Sequence, residues 1–317
     1  MSTRGTIHID RALTNFSMKY ANGAMIADII LPRIDVAKDS DQYFVYGRQD
    51  FRATNDLRAD KADTNFIDSW KIESTPTYNC EEHALADLVS DRERRNADAP
   101  LSPDFDTDEN LTNMLMLNRE KRVADVLTAA ASYSGSGHYV TLSGTQQWND
   151  AAFDSNSNDD AIEVRIDAAK EAIRAAIGRD PNTVIIPAAV AKVVKRDPAI
   201  RDLIRYTDST LLVNGDLPPT LWNMKVLVPG SVYDAAEEGQ SFDGADVWGK
   251  HVVVAYVAPN PRTPRTVTLG LTFQSQPRQV AKWREEGRKS DAIEVSEILV
   301  EKTVCEYCGY LIRNAIA

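Results

Sequence analysis

The chain is short of the residues that reactive chemistry usually needs. Its 317 residues include three cysteines and four histidines. An odd, sparse set of cysteines excludes a disulfide framework and fits a reducing cytosol. His8, His83, His138 and His251 show no HExxH or paired metal spacing, so a satisfied structural role is the better reading of each. Long hydrophobic runs are also missing. The longest strongly apolar stretch, residues 252–258, falls far short of a membrane span. Residues 1–14 lack the apolar stretch of a signal peptide. A soluble, cytosolic chain with no membrane partner is expected. Positive charge is scarce as well: 36 Lys and Arg stand against 47 Asp and Glu, a net charge of −11. That balance argues against a nucleic-acid or anionic-membrane binder, both of which need a positive field.

Motifs for cofactors fail on inspection. The stretch from Gly244 to His251 comes nearest to a phosphate loop, but it lacks the magnesium-binding Ser/Thr. Bulky Val247 and Trp248 also fill a loop that should expose backbone amides. Gly135 and Gly137 lack the third glycine of a dinucleotide fingerprint, and there is no G-x-S-x-G elbow. Cys80 with His83, and Cys305 with Cys308, have spacings that could together supply four zinc ligands or a thiol site. The two pairs are more than 200 residues apart, and neither sits on an evident knuckle turn. As a redox pair, Cys305 and Cys308 should precede a helix, yet they follow a strand pattern. Ordinary half-buried cysteines explain them better. No cofactor is expected, and paired carboxylates such as Asp159-Asp160, Glu237-Glu238 and Glu285-Glu286 read as solvated charge.

What the chain does have is an unusual segment at residues 39–82. Seven of the 24 aromatics fall in these 44 residues: Tyr43, Phe44, Tyr46, Phe51, Phe66, Trp70 and Tyr78. Fifteen charges are interleaved with them. Such a segment cannot bury enough of its own apolar surface to offset the cost of ordering it. Its rings therefore need a partner outside it, in the rest of the fold or in another copy of the chain. The flanks 43–46 and 66–72 read as the strands of a long hairpin, and the polar middle, 53–64, as its tip.

Around this segment the pattern is mixed. Residues 1–38 read as an arm broken at Pro32. A long helix is predicted from Ser102-Pro103 or Thr107 to about Ala131, with Asp104, Asp106, Asp108 and Glu109 at its positive end. Leu111, Leu115, Val123 and Leu127 are among its apolar residues, which occupy more than one face. A second helix places Ile162, Ile166, Ala169, Ile173 and Ile177 on one face, with Asn158 or Asp159 as its cap and Gly178 as its stop. A buried strand at 183–186 follows, and Asp197-Pro198 marks a further helix start. Strands are expected at 225–228, 251–257, 267–273, 280–283 and 293–304, with polar loops near 207–220 and 234–246.

Taken together, the chain resembles the major capsid proteins of tailed bacteriophages, which have the Hong Kong 97-type fold shared with encapsulin shells. The residues that carry the resemblance begin with Ala27-Asp28, Leu31-Pro32, Val36, Lys38, Tyr43-Phe44-Val45-Tyr46 and Asp50-Phe51. They continue through Asn96-Ala97-Asp98, Glu120-Lys121-Arg122-Val123-Ala124, Leu142-Ser143-Gly144 and Gln147-Trp148. They end with Pro181-Asn182-Thr183, Val247-Trp248-Gly249 and the run from Gly309 to Asn314. Order and spacing across the chain carry the weight. Asp39-Ser40-Asp41-Gln42 departs from the Ser-Gly-Lys-like turn expected there, which leaves the start of the hairpin open.

The resemblance implies an α+β fold with an N-terminal arm (1–38), an extended hairpin loop (39–82), a peripheral domain (83–178 and 286–317) and an axial domain (179–285). Leu111, Leu115, Val123 and Leu127 would line the peripheral domain's spine helix. Tyr43, Phe44, Tyr46, Phe51, Phe66 and Trp70 would lie on an adjacent subunit. Asp208, Asn214, Glu237 and Gln240 would sit in axial loops at the capsomer axes. The function implied is self-assembly into pentamers and hexamers of an icosahedral head around double-stranded DNA. The location would be the virion, after assembly in the host cytoplasm. Partners would be the chain itself, with scaffolding, portal and decoration proteins and weak, non-specific proximity to DNA. Some relatives crosslink a hairpin lysine to a neighbour's asparagine; Lys61 and Asn314 are available, though a solvated lysine and a chain-end amide are the plainer reading. The rivals are an encapsulin-type compartment and a zinc or thiol enzyme built on Cys80, His83, Cys305 and Cys308.

Overall fold

The computed structural model describes residues 8–9, 25–43, 45–46, 53, 56–58, 60, 63–64, 72–97, 102–155, 159–205, 217–237, 239–261 and 266–317. It begins with β1 (His8–Ile9), a short helix α1 (Ala27–Ile30) and β2 (Arg33–Asp35). Four short strands follow: β3 (Ser40–Gln42), β4 (Val45–Tyr46), β5 (Ile72–Ser74) and β6 (Thr77–Asn79). Next come β7 (Glu81–Ser90), α2 (Asp91–Asn96), the long helix α3 (Pro103–Thr128), β8 (Tyr139–Thr141) and α4 (Ile162–Ile177). The third quarter holds β9 (Thr183–Ile185), α5 (Ala188–Val194), α6 (Pro198–Arg205), β10 (Thr220–Leu221) and β11 (Met224–Leu227). It closes with β12 (Val232–Asp234), β13 (Gly244–Asp246), β14 (Val252–Ala255), β15 (Gly270–Glu285), β16 (Ser290–Thr303) and β17 (Gly309–Arg313). No helix among the described residues is long and apolar enough to cross a membrane.

Two sheets organise these elements. The first runs β1-β15-β16-β7, with β2 also pairing to β15; the second runs β10-β11-β9-β14-β17-β8. In the second sheet β14 (VVVA) and β9 (TVI) are buried at every position. That explains their unbroken apolar runs, since a strand covered on both faces has no polar side to show. α4 lies against this sheet through Ile162, Ile166, Ala169, Ile173, Ala176 and Ile177, all buried. Gly178 ends it at φ 66°, its N–H bonding to Arg174 O at 2.8 Å, in the left-handed cap that glycine adopts without strain. The first turn differs from expectation. Ala161 flanks it, with no side-chain cap bond.

The spine helix α3 serves both sheets, and its sequence shows how. Its buried positions include Leu111, Leu115, Arg119, Val123 and Leu127, each four residues from the last. With about 100° per residue, each step of four advances the row by about 40°, so the buried stripe turns through about 160° between Leu111 and Leu127. Leu111 accordingly packs with Val89, Val280, Ile293 and Val295 of the first sheet. Val123, Ala124 and Leu127 belong to the main core with β14, β17 and α4. This is why apolar residues occupy more than one face.

Several expectations are corrected. The strands predicted at 267–273 and 280–283 are one strand of 16 residues. Pro277 falls inside the second of two register shifts against β16, that between Gln276 and Gln279. At such a bulge the missing proline N–H is not needed. The boundary expected at residue 285 therefore cuts through a paired hairpin, because β15 and β16 pair from Gly270↔Thr303 to Glu285↔Ser290. In the same way β8, α4 and β17 join the second sheet rather than the first. β7 was not anticipated. It is an edge strand, and its mostly exposed or half-exposed residues include three acidic ones, Glu81, Glu82 and Asp87, a common way to blunt an edge. α2 was also missed, although Ser90 and Glu93 form a capping box at its start, a signature legible in the sequence. α3 stops at Thr128, and residues 130–133 form a tighter turn.

Candidate functional site

The root of the 39–82 segment is a two-stranded ribbon. β3 pairs β6 (Ser40↔Asn79, Asp41↔Tyr78, Gln42↔Thr77), and beyond it β4 pairs β5 (Val45↔Ser74, Tyr46↔Ile72). Tyr43 N donates to Pro76 O at 3.0 Å and Cys80 N to Asp39 O at 2.7 Å. The ribbon sits on the first sheet through aromatic contact. Phe273, wholly buried on β15, stacks on Tyr78 with centroids 4.6 Å apart and rings 5° from parallel. Tyr43 meets the same ring at 5.5 Å and 34°. Ile34, Cys80 and Leu271 complete this cluster.

Tyr43 is therefore buried in its own chain, which corrects its placement on a neighbour. The alternating pattern could not tell which ring of the flank would turn inward. Phe44, Phe51, Phe66 and Trp70 lie outside the described residues. Tyr46 is described as a backbone position on β4. At the far end, Ala53, Asp56, Leu57, Arg58, Asp60, Asp63 and Thr64 are exposed, Leu57 at 80%.

The root of the arm is fastened by charge. Asp28 on α1 pairs with Arg33 at 2.7 Å and with Arg119 of α3. Burial pushes the Asp28 carboxyl up, but Arg119 and Arg33 outweigh it and hold the group at about 2. Arg33 also reaches Glu297 at 3.3 Å, and Arg278 reaches Glu297 at 3.5 Å. Arg122 bonds Glu301 at 3.0 Å. Glu297 is wholly buried and Arg278 is 6% exposed. Arg278 lies inside the second register shift of β15, where a bulge can turn a side chain that regular alternation would point elsewhere. Neither Arg119 nor Arg278 was singled out from sequence. A signal existed for Arg119: it occupies the same four-residue row as Leu111, Leu115, Val123 and Leu127.

The spine residues Leu111, Leu115, Val123 and Leu127 are all buried. Glu237 and Gln240 are exposed on the loop between β12 and β13, where Gln240 N donates to Glu237 O at 3.0 Å. Asp234 shapes that loop by accepting from Ala236 N and Asp243 N, both at 3.0 Å. These two bonds hold its carboxyl below the usual carboxylate range. Phe242, not singled out from sequence, stands 73% exposed on the same loop. Asp208 and Asn214 lie outside the described residues.

The four residues of the zinc reading do not converge. Cys80 sits in the cluster around Phe273, while Cys308 belongs to the main core with Cys305 packed against it. His83 lies on β7 opposite Glu297. No group of three or more His, Cys, Asp or Glu that could hold a metal occurs among the described residues. The stretch from Gly244 to His251 is no phosphate cradle, because Trp248 is buried in the core.

No profile of a known protein family matches the chain. It is 29% identical over 310 residues to the major capsid protein of Burkholderia phage BcepMu, a match that covers 96% of each chain. It is 28% identical to the major capsid protein of Pseudomonas phage JBD67, over 98% of this chain and 97% of that one. The chain is thus similar to phage major capsid proteins over nearly its whole length. Its fold agrees with solved structures. A phage-related protein from Bordetella bronchiseptica superposes with a TM-score of 0.73 at 23% identity, covering 99% of this chain and 98% of that one. The capsid of Cyanophage P-SCSP1u gives 0.63 at 10% identity, covering 93% and 89%. This is the Hong Kong 97-type fold. Both phage relatives are named as major capsid proteins, a structural role and not an enzymatic one.

Proposed function

We propose that the chain assembles with copies of itself into pentamers and hexamers that close an icosahedral head around double-stranded DNA. The observation that supports this reading is likeness to a phage major capsid protein over 96% of both chains. In this reading the first sheet with α3 is the peripheral domain, and the second sheet with α4 is the axial domain. Beyond the roots that pack on their own subunit, the arm (1–38) and the ribbon (39–82) reach neighbouring subunits. Phe44, Tyr46, Phe51, Phe66 and Trp70 supply the ribbon's contacts, and the loops holding Asp208, Asn214, Glu237 and Gln240 meet at the capsomer axes. Heterologous contacts of this kind generate closed rings when their rotation closes. Each can be weak, because many per subunit add and misplaced copies dissociate. The net charge of −11 keeps the inner wall from holding DNA tightly. Assembly takes place in the host cytoplasm, with portal, scaffolding and decoration proteins as further partners.

The chain expressed alone, viewed by negative-stain microscopy, is expected to form closed particles or capsomers. A concentrated sample that stays strictly monomeric in every assembly buffer would overturn the reading. Deleting residues 48–65 is expected to yield capsomers or monomers. Intact shells from that deletion would remove the ribbon from the mechanism. Nucleic acid and not a cargo enzyme is expected inside native particles, which separates a phage head from an encapsulin-type compartment.

A further inference from the structure

Both carboxyl oxygens of Glu120 are engaged by groups remote from it in sequence. The side chain is wholly buried in the middle of α3. Oε2 accepts from Ala27 N at 2.8 Å, and both oxygens accept from Ile26 N at 3.1 Å. Oε1 also accepts from the indole Nε1 of Trp248 at 2.6 Å. Ile26 and Ala27 open α1, whose flanking residue, Ile26, makes no side-chain cap bond. Their N–H groups would otherwise be orphaned in the core. Trp248 lies 2% exposed on the turn between β13 and β14. One carboxyl group thus joins the arm, the spine helix and the approach to the second sheet.

Neighbouring bonds fix the same stretch of chain. Arg119 pairs with Asp28 and donates to Thr272 Oγ1 at 3.0 Å. Thr272 in turn donates its hydroxyl to Leu31 O and its N–H to Pro32 O, both at 3.0 Å. Residues 26–32 are therefore held from two sides, and their direction is set before the chain enters β2.

We propose that Glu120 is the positioning residue that fixes the root of the N-terminal arm, residues 26–32, on the subunit body and couples that root to the Trp248 turn. The inference rests on the capsid reading, in which the arm serves neighbouring copies. A glutamine at 120 keeps size and shape but turns one acceptor into a donor facing donors. A phenylalanine at 248 removes the indole N–H and keeps an aromatic ring.

The test is residue-resolved amide exchange on the full-length chain before assembly, with Trp248 fluorescence and particle imaging alongside. In Glu120→Gln, the Ile26 and Ala27 amides should exchange about tenfold faster, the size expected for one buried hydrogen bond lost. The amides of residues 123–127 in α3 should be unchanged. Trp248 emission should shift, and the variant should form fewer or misshapen particles than the wild-type chain. Trp248→Phe should also speed exchange at Ile26 and Ala27, by less than Glu120→Gln. Unchanged exchange at these two amides in both variants would overturn the proposal. So would an equal rise throughout α3, which marks general loosening. Particle formation by the wild-type chain tests the capsid reading separately, so either can fail alone.

Discussion

Replacing Phe273 with alanine should loosen the root of the ribbon before it loosens anything else. The ring is fully buried, with Tyr78 stacked on it at 4.6 Å and Tyr43 tilted against it at 5.5 Å. Truncating a buried phenylalanine to alanine costs about 3–5 kcal/mol, from lost burial and from the cavity left behind. Of this, about 0.5–1.5 kcal/mol belongs to a ring pair beyond its area. Phe273→Leu should therefore cost far less than Phe273→Ala, and Tyr78→Leu combined with it should show a coupling within that aromatic range. Urea unfolding of the unassembled chain gives the first quantity, and a double-mutant cycle gives the second. The amides of Tyr43 and Cys80, which close the ribbon onto Pro76 O and Asp39 O, report the location. In Phe273→Ala they should exchange faster while those of β14 keep their protection. A loss of stability below about 1 kcal/mol, or root amides as protected as in the wild type, would refute the claim that the ribbon is seated on Phe273.

Other outcomes follow from the same geometry. Glu297→Ala should destabilise the unassembled chain by about 3–5 kcal/mol in urea unfolding, because it leaves Arg278 and Arg33 short of their buried anion. The Asp28 carboxyl is held at about 2, below its value in an unfolded chain. Its contribution is therefore complete above about pH 5 and is lost as pH falls from about 4 towards 2. With the side chain 52% exposed, solvent screening reduces that contribution to about 1 kcal/mol. The stability gap between wild type and Asp28→Asn should shrink over this range, and a gap independent of pH would contradict the pairing. Gly309→Val should destabilise by about 1–3 kcal/mol through overpacking, since a Cβ there would stand 2.6 Å from Leu269 and 2.9 Å from Tyr133; thermal unfolding reads it. Chelation with EDTA should leave the melting temperature unchanged, as Cys80 and Cys308 lie in different clusters.

Periodicity by itself determined much of this protein. The 3.6-residue pattern placed α4 and its glycine stop, and the continuous apolar runs located β9 and β14, because burial on one face or on both leaves a direct mark on residue order. The crowd of rings and charges in residues 39–82 marked a ribbon that could not stand alone. What only the tertiary structure decided were matters of direction and of distant partnership. A four-residue row reads as apolar contact on several faces until two sheets are seen to take its two ends. Residues 267–273 and 280–283 read as two strands until a 14-residue partner strand carries the ladder past Pro277. Tyr43 turns onto Phe273, 230 positions away, and Glu120 caps an arm 94 residues upstream. Local order cannot encode such meetings, because hydrogen-bond donors and ring faces are matched only once the elements that carry them have packed.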